Sequence, residues 1–206
     1  MYLDRILYPV TALGPGRRLA IWVAGCQRHC PGCANPELWR HYPEQEISPE
    51  SLFARIQQLC PGGFDGLTIT GGEPFEQAEE LSRFLSLFPV RPETLVFSGY
   101  TLRQLRNRPE CRGLLRKTDV LIDGPYVNAL NDGYSVLRGS RNQSVRFLSP
   151  GVEQHYWPYL QMGRQIQNFI YDYRILSVGI HNPPSGGEYD SGETRTEQMG
   201  EGIERI

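Results

Sequence analysis

The 206 residues predict an α/β fold built on a parallel sheet that stays open. Three observations carry that prediction. Short runs rich in apolar and β-branched residues recur at Arg18–Ala24, Gly66–Thr70, Thr94–Ser98 and Asp119–Asp123. They do not alternate cleanly with polar residues, as strands covered on both faces do not. Between them lie stretches with apolar residues at helical spacing, and strands alternating with helices build βαβ units. A closed eightfold barrel takes about 250 residues, so a chain of this length predicts a partial, open β/α barrel.

Composition narrows the classes. Hydrophobic residues make up 39% of the chain, enough for a core, and the formal net charge is −2. Neither a basic excess suited to nucleic acid nor an acidic excess suited to a solvated, unfolded chain is present. No run of about 18 apolar residues is found, which speaks against a membrane-spanning helix. Met1-Tyr2-Leu3-Asp4-Arg5 lacks the basic-then-apolar start of a signal peptide. A cytoplasmic protein without membrane or nucleic-acid partners is the expectation.

The elements follow in order. Residues 1–17 read as turn-rich, ending in Leu13-Gly14-Pro15-Gly16, and Arg18–Ala24 is the first strand. Ser48-Pro49 reads as an N-cap with proline at the first helical position. Leu52, Phe53, Ile56, Leu59 and Cys60 then share a face, and Pro61-Gly62-Gly63 stops the helix. The second strand runs into Gly71-Gly72-Glu73-Pro74, and a second helix turns Ala78, Leu81, Phe84, Leu85 and Phe88 inward. After the third strand come helical segments from about 102 to 117, then the fourth strand. Ser144–Leu148 and Phe169–Tyr171 are weaker strand candidates. From about His181 the composition turns to Gly, Glu, Ser and Thr. Such a segment has little to bury, so a core domain over 1–181 and a flexible, disordered tail over 182–206 are expected.

Five cysteines, three of them within eight residues, do not form a disulfide framework. Cys26-Gln-Arg-His-Cys30-Pro-Gly-Cys33 places three thiols in one compact loop directly after a strand. Thiolates suit iron–sulfur clusters and zinc. Three ligands on a four-iron cube leave one iron open to a substrate, whereas zinc needs a fourth ligand from His29, Cys60 or Cys111. Both readings stand on the loop alone. Gly71-Gly72-Glu73-Pro74 closes the second strand at its C-terminal end, where parallel α/β folds place their sites. Its glycines admit a ligand close to the backbone and Glu73 can accept from an ammonium group. A plain strand-to-helix turn would read the same way.

Together the two motifs resemble the radical SAM superfamily. Further segments resemble the activators of anaerobic ribonucleotide reductase among the glycyl-radical activating enzymes. These are Gly14-Pro-Gly-x-Arg18, Cys33-Ala-Asn35-Pro-Glu-Leu-Trp39, Phe97-Ser98-Gly99-Tyr100-Thr101, Asp119–Tyr126 and Arg138-Gly-Ser-Arg-Asn142-Gln143. Leu13 stands where those activators usually carry Asp. The resemblance implies a partial barrel of the radical SAM type and a 4Fe-4S cluster on Cys26, Cys30 and Cys33. It implies that S-adenosylmethionine chelates the open iron and that Gly71, Gly72, Glu73 and Pro74 hold its methionine end. Ser98 and Asp123 become candidates for further polar contacts to it. Reductive cleavage would yield a 5′-deoxyadenosyl radical that abstracts hydrogen from a glycine of a large anaerobic ribonucleotide reductase. A flavodoxin- or ferredoxin-like protein would supply the electron. Another radical SAM target and a plain electron-transfer protein remain the alternatives.

Overall fold

Six strands lie side by side in chain order: β1 (Leu3–Val10), β2 (Arg18–Val23), β3 (Gly66–Gly71), β4 (Thr94–Ser98), β5 (Val120–Asp123) and β6 (Ser144–Phe147). Strands β7 (Ile166–Tyr171) and β8 (Arg174–Gly179) form a separate hairpin, and β9 (Ile203–Arg205) pairs with the outer edge of β1. This is a computed structural model, and it describes residues 1–171, 174–182 and 203–205. Strands β2 to β5 are parallel, while β1, β6 and β9 add antiparallel edges. The sheet is open, ending at β6 and β9. The expected tail over 182–206 lies outside the described residues except for Asn182 and β9.

Helices α1 (Pro49–Leu59), α2 (Ala78–Leu85), α3 (Leu102–Arg106) and α4 (Arg112–Leu115) fill the crossovers. Ser48 caps α1 as expected, its Oγ accepting from the Ser51 N–H at 3.1 Å. Leu52 and Ile56 of α1, Leu81, Phe84 and Leu85 of α2, and Leu105 and Leu114 pack on one face of the sheet. There they meet Leu19, Ile21, Val23, Leu67, Ile69, Val96 and Leu121. The alternate residues face the other way. Ala20 and Trp22 pack under the β7–β8 hairpin with Phe169, Leu176 and Val178. Leu95, Val120 and Ile122 pack under α5 (Glu153–Leu160), whose Tyr156 and Tyr159 are buried. Both faces of β2 to β5 are therefore covered, which is why their sequences read as continuous runs.

The expectation of a turn-rich 1–17 is corrected over Leu3–Val10, which form a full strand. Asp4, Arg5 and Pro9 break its apolar pattern, and irregularities at Leu3/Arg5 and Leu7/Val10 shift its register against β2. An irregular, bulged strand carries a weak sequence signal. Its Asp4 and Arg5 are buried as an ion pair at 3.1 Å. Phe169–Tyr171 belongs to β7 as expected, but in the hairpin rather than in the main sheet. No described helix is long and apolar enough to cross a membrane.

Candidate cluster and cofactor site

The parallel register brings the ends of the central strands together: Val23 lies level with Gly71, and Ser98 with Asp123. The cysteine loop leaves β2 here and is closed on itself by the turn at Pro36–Trp39. The Gly25 N–H donates to Leu38 O at 2.9 Å and the Cys26 N–H to Trp39 O at 3.0 Å. Within the loop the Cys33 N–H donates to Cys30 O at 3.1 Å. Cys26, Cys30 and Cys33 are half-buried, carry no disulfide and line one cavity of about 220 Å³. Burial pushes the Cys26 and Cys33 thiols up from their ordinary range.

Gly71, Gly72, Glu73 and Ser98 line the same cavity. Gly71 takes φ +108°, and a Cβ there would strike the Val23 backbone. The Gly72 N–H donates to Val23 O at 2.7 Å and the Glu73 N–H to Gly25 O at 2.9 Å. Those amides are therefore spent on the strand β2 end, and a bound ammonium would be met by acceptors, as its chemistry requires. Pro74 is buried at the start of the turn that follows and does not line the cavity.

Glu73 is the hub. Its carboxylate is buried and accepts from the Phe75 N–H at 3.1 Å, the Ser98 hydroxyl at 2.8 Å and the Gly99 N–H at 2.7 Å. Three of roughly four acceptor positions are thus filled by the ends of β3 and β4. Burial pushes this carboxyl up to about 7, against the downward pull of those hydrogen bonds, with nearby Glu76 adding to the rise. Ser98 is turned to Glu73 and also accepts from the Tyr100 N–H. Asp123 is not brought into the cavity. Its carboxylate accepts from the Leu102 N–H at 2.7 Å and from Arg146 Nε at 3.0 Å, and it lines a neighbouring hollow.

Further residues complete the site, of which Glu76 and Arg28 carried no signal in the sequence. Glu76 accepts from the Gln27 N–H and the Tyr100 hydroxyl, bracing the cysteine loop. Arg28, inside the loop, lies on the Tyr100 ring at 4.8 Å and against Gly99, where a Cβ would strike its Cδ. The buried Nε of Arg28 and the buried indole nitrogen of Trp39 line the cavity without regular hydrogen-bond partners among the described residues. Trp39 lies beside Cys33, and its N–H pulls that thiol down against burial. His29 takes a left-handed backbone and packs against Trp39, the two rings tilted with centroids 4.9 Å apart. Gly179, Ile180, His181 and Asn182 form another wall, pinned by Arg164, whose guanidinium donates to His181 O at 2.8 Å. Arg138 and Asn142 brace their loop, donating to Gln143 O and Pro125 O.

The donor set fits an iron–sulfur cluster. Unpartnered N–H groups beside three thiols suit the acceptor sulfurs of a cluster. Cys60 and Cys111 are buried in the core against the helices, so neither supplies a fourth ligand to a zinc site. Among the described residues no three His, Cys, Asp or Glu side chains gather where a single metal ion could be held. Three thiols on three corners of a cube do not need to meet at one point.

A family model described as a 4Fe-4S single cluster domain matches residues 12–146, well over half of the chain. The chain belongs to this family. As a 4Fe-4S single-cluster protein it is also similar to the anaerobic ribonucleoside-triphosphate reductase-activating protein of Enterobacteria phage T4. The two are 32% identical over 161 residues, covering 75% of this chain and 99% of the phage protein. The protein of that name from Escherichia coli K12 is 31% identical over 149 residues, 68% of this chain and 96% of the relative. That from Vibrio cholerae is 32% identical over 153 residues, 67% and 93%. The resemblance to radical SAM activating enzymes drawn from the motifs therefore stands. Helix α5 and the hairpin lie beyond the end of the family match.

Proposed function

We propose that this protein is a radical SAM activating enzyme of the partial-barrel type that makes the glycyl radical of an anaerobic ribonucleotide reductase. The observation that carries the reading is the single cavity at the C-terminal strand ends, lined by Cys26, Cys30, Cys33, Gly71, Gly72 and Glu73. Confinement of α1 to α4 to one face of the sheet supports a barrel wall rather than a doubly wound sheet. The names of the similar proteins support the reductase as target.

In this reading Cys26, Cys30 and Cys33 hold the cluster and leave one iron open. When bound there, the cluster and S-adenosylmethionine would supply the radical chemistry that removes hydrogen from a glycine. Glu73, with Gly71 and Gly72, receives the amino group of the methionine end. Ser98 keeps the Glu73 carboxylate oriented. Asp123 ties β5 to the start of α3 and acts on the cavity only through that wall. The His181–Asn182 wall and the hairpin behind it shield one side from water. A flavodoxin- or ferredoxin-like protein delivers the electron.

The test is anaerobic reconstitution with iron and sulfide, then dithionite and S-adenosylmethionine, with 5′-deoxyadenosine as the readout. The reductase is then added and its glycyl radical sought by electron paramagnetic resonance. Replacing Cys26, Cys30 or Cys33 with Ala abolishes product, while Cys60→Ala and Cys111→Ala retain it. A cluster-loaded protein that never cleaves S-adenosylmethionine, with or without the reductase, overturns the reading. Cleavage without a glycyl radical moves the target elsewhere.

A further inference from the structure

The helical layer between β4 and β5 carries a concentration of positive charge that the proposed chemistry does not use. Residues 102–117 hold Arg103, Arg106, Arg108, Arg112, Arg116 and Lys117 against one acid, Glu110, in a chain of net charge −2. Arg103, Arg106, Arg112 and Arg116 are exposed. None of these four is paired with a carboxylate among the described residues, whereas Arg108 is paired with Glu110 at 2.9 Å. Two hollows run along this layer. One, of about 450 Å³, is lined by Arg103, Arg106 and Arg146, the last paired with Asp123 at 3.0 Å. The other, of about 260 Å³, is lined by Arg106, Arg112 and Arg116. Leu102 and Arg106 border both, so the arginines form one continuous strip rather than two separate sites.

The helical layer that carries the strip reaches the cysteine loop through one aromatic ring. The Arg108 guanidinium lies 4.8 Å from the Tyr100 ring, and that of Arg28 lies 4.8 Å from the same ring. Arg28 sits between Cys26 and Cys30, and the Tyr100 hydroxyl is tied to Glu76, which holds the Gln27 N–H. Yet none of Arg103, Arg106, Arg112 or Arg116 lines the cysteine cavity. A partner on the strip therefore approaches the outside of the cluster loop and leaves the mouth of the cavity free.

We propose that this strip docks a small acidic one-electron carrier protein that reduces the cluster. The inference rests on the function proposed above. A small anion would fill one hollow, whereas a strip spanning both fits an extended acidic surface. The reductase is the weaker occupant, because its glycine must enter the cavity itself. Complementary charge speeds encounter and sets orientation while leaving the complex weak enough to part after transfer. One electron leaves the carrier's reduced centre and enters the oxidised cluster. The carrier is oxidised by one electron, and no bond or proton changes hands.

The experiment uses the reconstituted protein and a purified acidic flavodoxin as probe. Affinity is measured by calorimetry at low and high salt, alongside the rate of cluster reduction by the reduced flavodoxin. The combined reversal Arg106→Glu with Arg112→Glu is expected to weaken low-salt binding by about tenfold or more and to flatten its salt dependence. Reduction by flavodoxin slows in parallel, while dithionite-driven cleavage of S-adenosylmethionine stays at the wild-type level. Should the reversed protein lose dithionite-driven cleavage, the neutral pair Arg106→Gln with Arg112→Gln decides in its place. Unchanged affinity and salt dependence, no low-salt binding by the wild type, or lost binding of the reductase with flavodoxin binding intact each overturns the proposal. Failure of dithionite-driven cleavage in the wild type instead brings down the functional reading on which the proposal stands.

Discussion

Glu73 shows how a single side chain is asked to do two things. Its carboxylate joins the ends of β3 and β4 through Phe75, Ser98 and Gly99, and it lines the cavity proposed to receive a ligand ammonium. Burial raises its carboxyl from the ordinary 4.5 to about 7. The folded metal-free protein then holds a proton that the unfolded chain gives up near 4.5. Stability is fully present below that value and is lost as pH rises through about 7, on the order of 2–3 kcal/mol across the window. Urea midpoints at pH 5 and pH 7.5 check this: Glu73→Gln lowers stability at both but removes this carboxyl's share of the slope between them. An identical slope in wild type and variant would show that the carboxyl is not raised. Trp39 tests the cluster side of the cavity. Trp39→Phe keeps an aromatic ring against His29 and deletes the N–H beside Cys33. A donor to cluster sulfur favours the more negative, reduced state. Its loss lowers the midpoint potential by about 20–60 mV in an electrochemical titration, with the cluster retained.

At the scale of elements, the strand ends matter more than the helices. Gly71 is the last residue of β3 and packs against the Val23 backbone with no room for a Cβ. Gly71→Ala must both force a positive φ on alanine and push β3 from β2, costing about 2–4 kcal/mol. It also displaces Glu73, so S-adenosylmethionine affinity falls with stability. Ser48→Ala, which removes the cap of α1, costs about 1 kcal/mol and leaves affinity unchanged. Thermal unfolding and ligand titration on both variants separate the two effects. Equal losses of affinity would mean that the β2–β3 junction does not position the site.

Across the whole molecule, the hairpin beyond the family match adds a wall to the cavity, while α5 covers the sheet elsewhere. The hairpin docks by Phe169, Leu176 and Val178 over Trp22, Leu7 and Val10, and its exit strand delivers Gly179–Asn182 to the cavity wall. Helix α5 is anchored by the Tyr156 hydroxyl on Glu93, which in turn pairs with buried Arg18. Val178→Asp places a charge against that apolar patch at a cost of about 3 kcal/mol or more. Hydrogen exchange is expected to rise along Ile166–Gly179 while β2 to β5 stay protected, with weaker S-adenosylmethionine binding. Exchange rising equally in the central strands would mean the hairpin is part of one folding unit rather than a cover.

The linear order of residues determined the central architecture. Strands β2 to β5 are covered on both faces, so their apolar runs were legible without knowing their neighbours. The cap at Ser48 and the helical faces of α1 and α2 are local properties and were legible for the same reason. So were the three cysteines and the Gly-Gly-Glu-Pro segment, because each motif is contiguous and its chemistry depends on spacing along the chain. Strand β1 was not legible, since Asp4, Arg5 and Pro9 interrupt its apolar pattern and its register against β2 is irregular. The tertiary structure alone decided that Asp123 turns away to Leu102 and Arg146, and that Ser98 serves Glu73. It alone brought Glu76, Tyr100 and His181 to the cysteine loop and its cavity, and laid the loop's own Arg28 on the Tyr100 ring. Those residues meet only after β2, β3 and β4 align in parallel and the hairpin docks, and contacts between distant segments leave no periodicity in the sequence from which to read them.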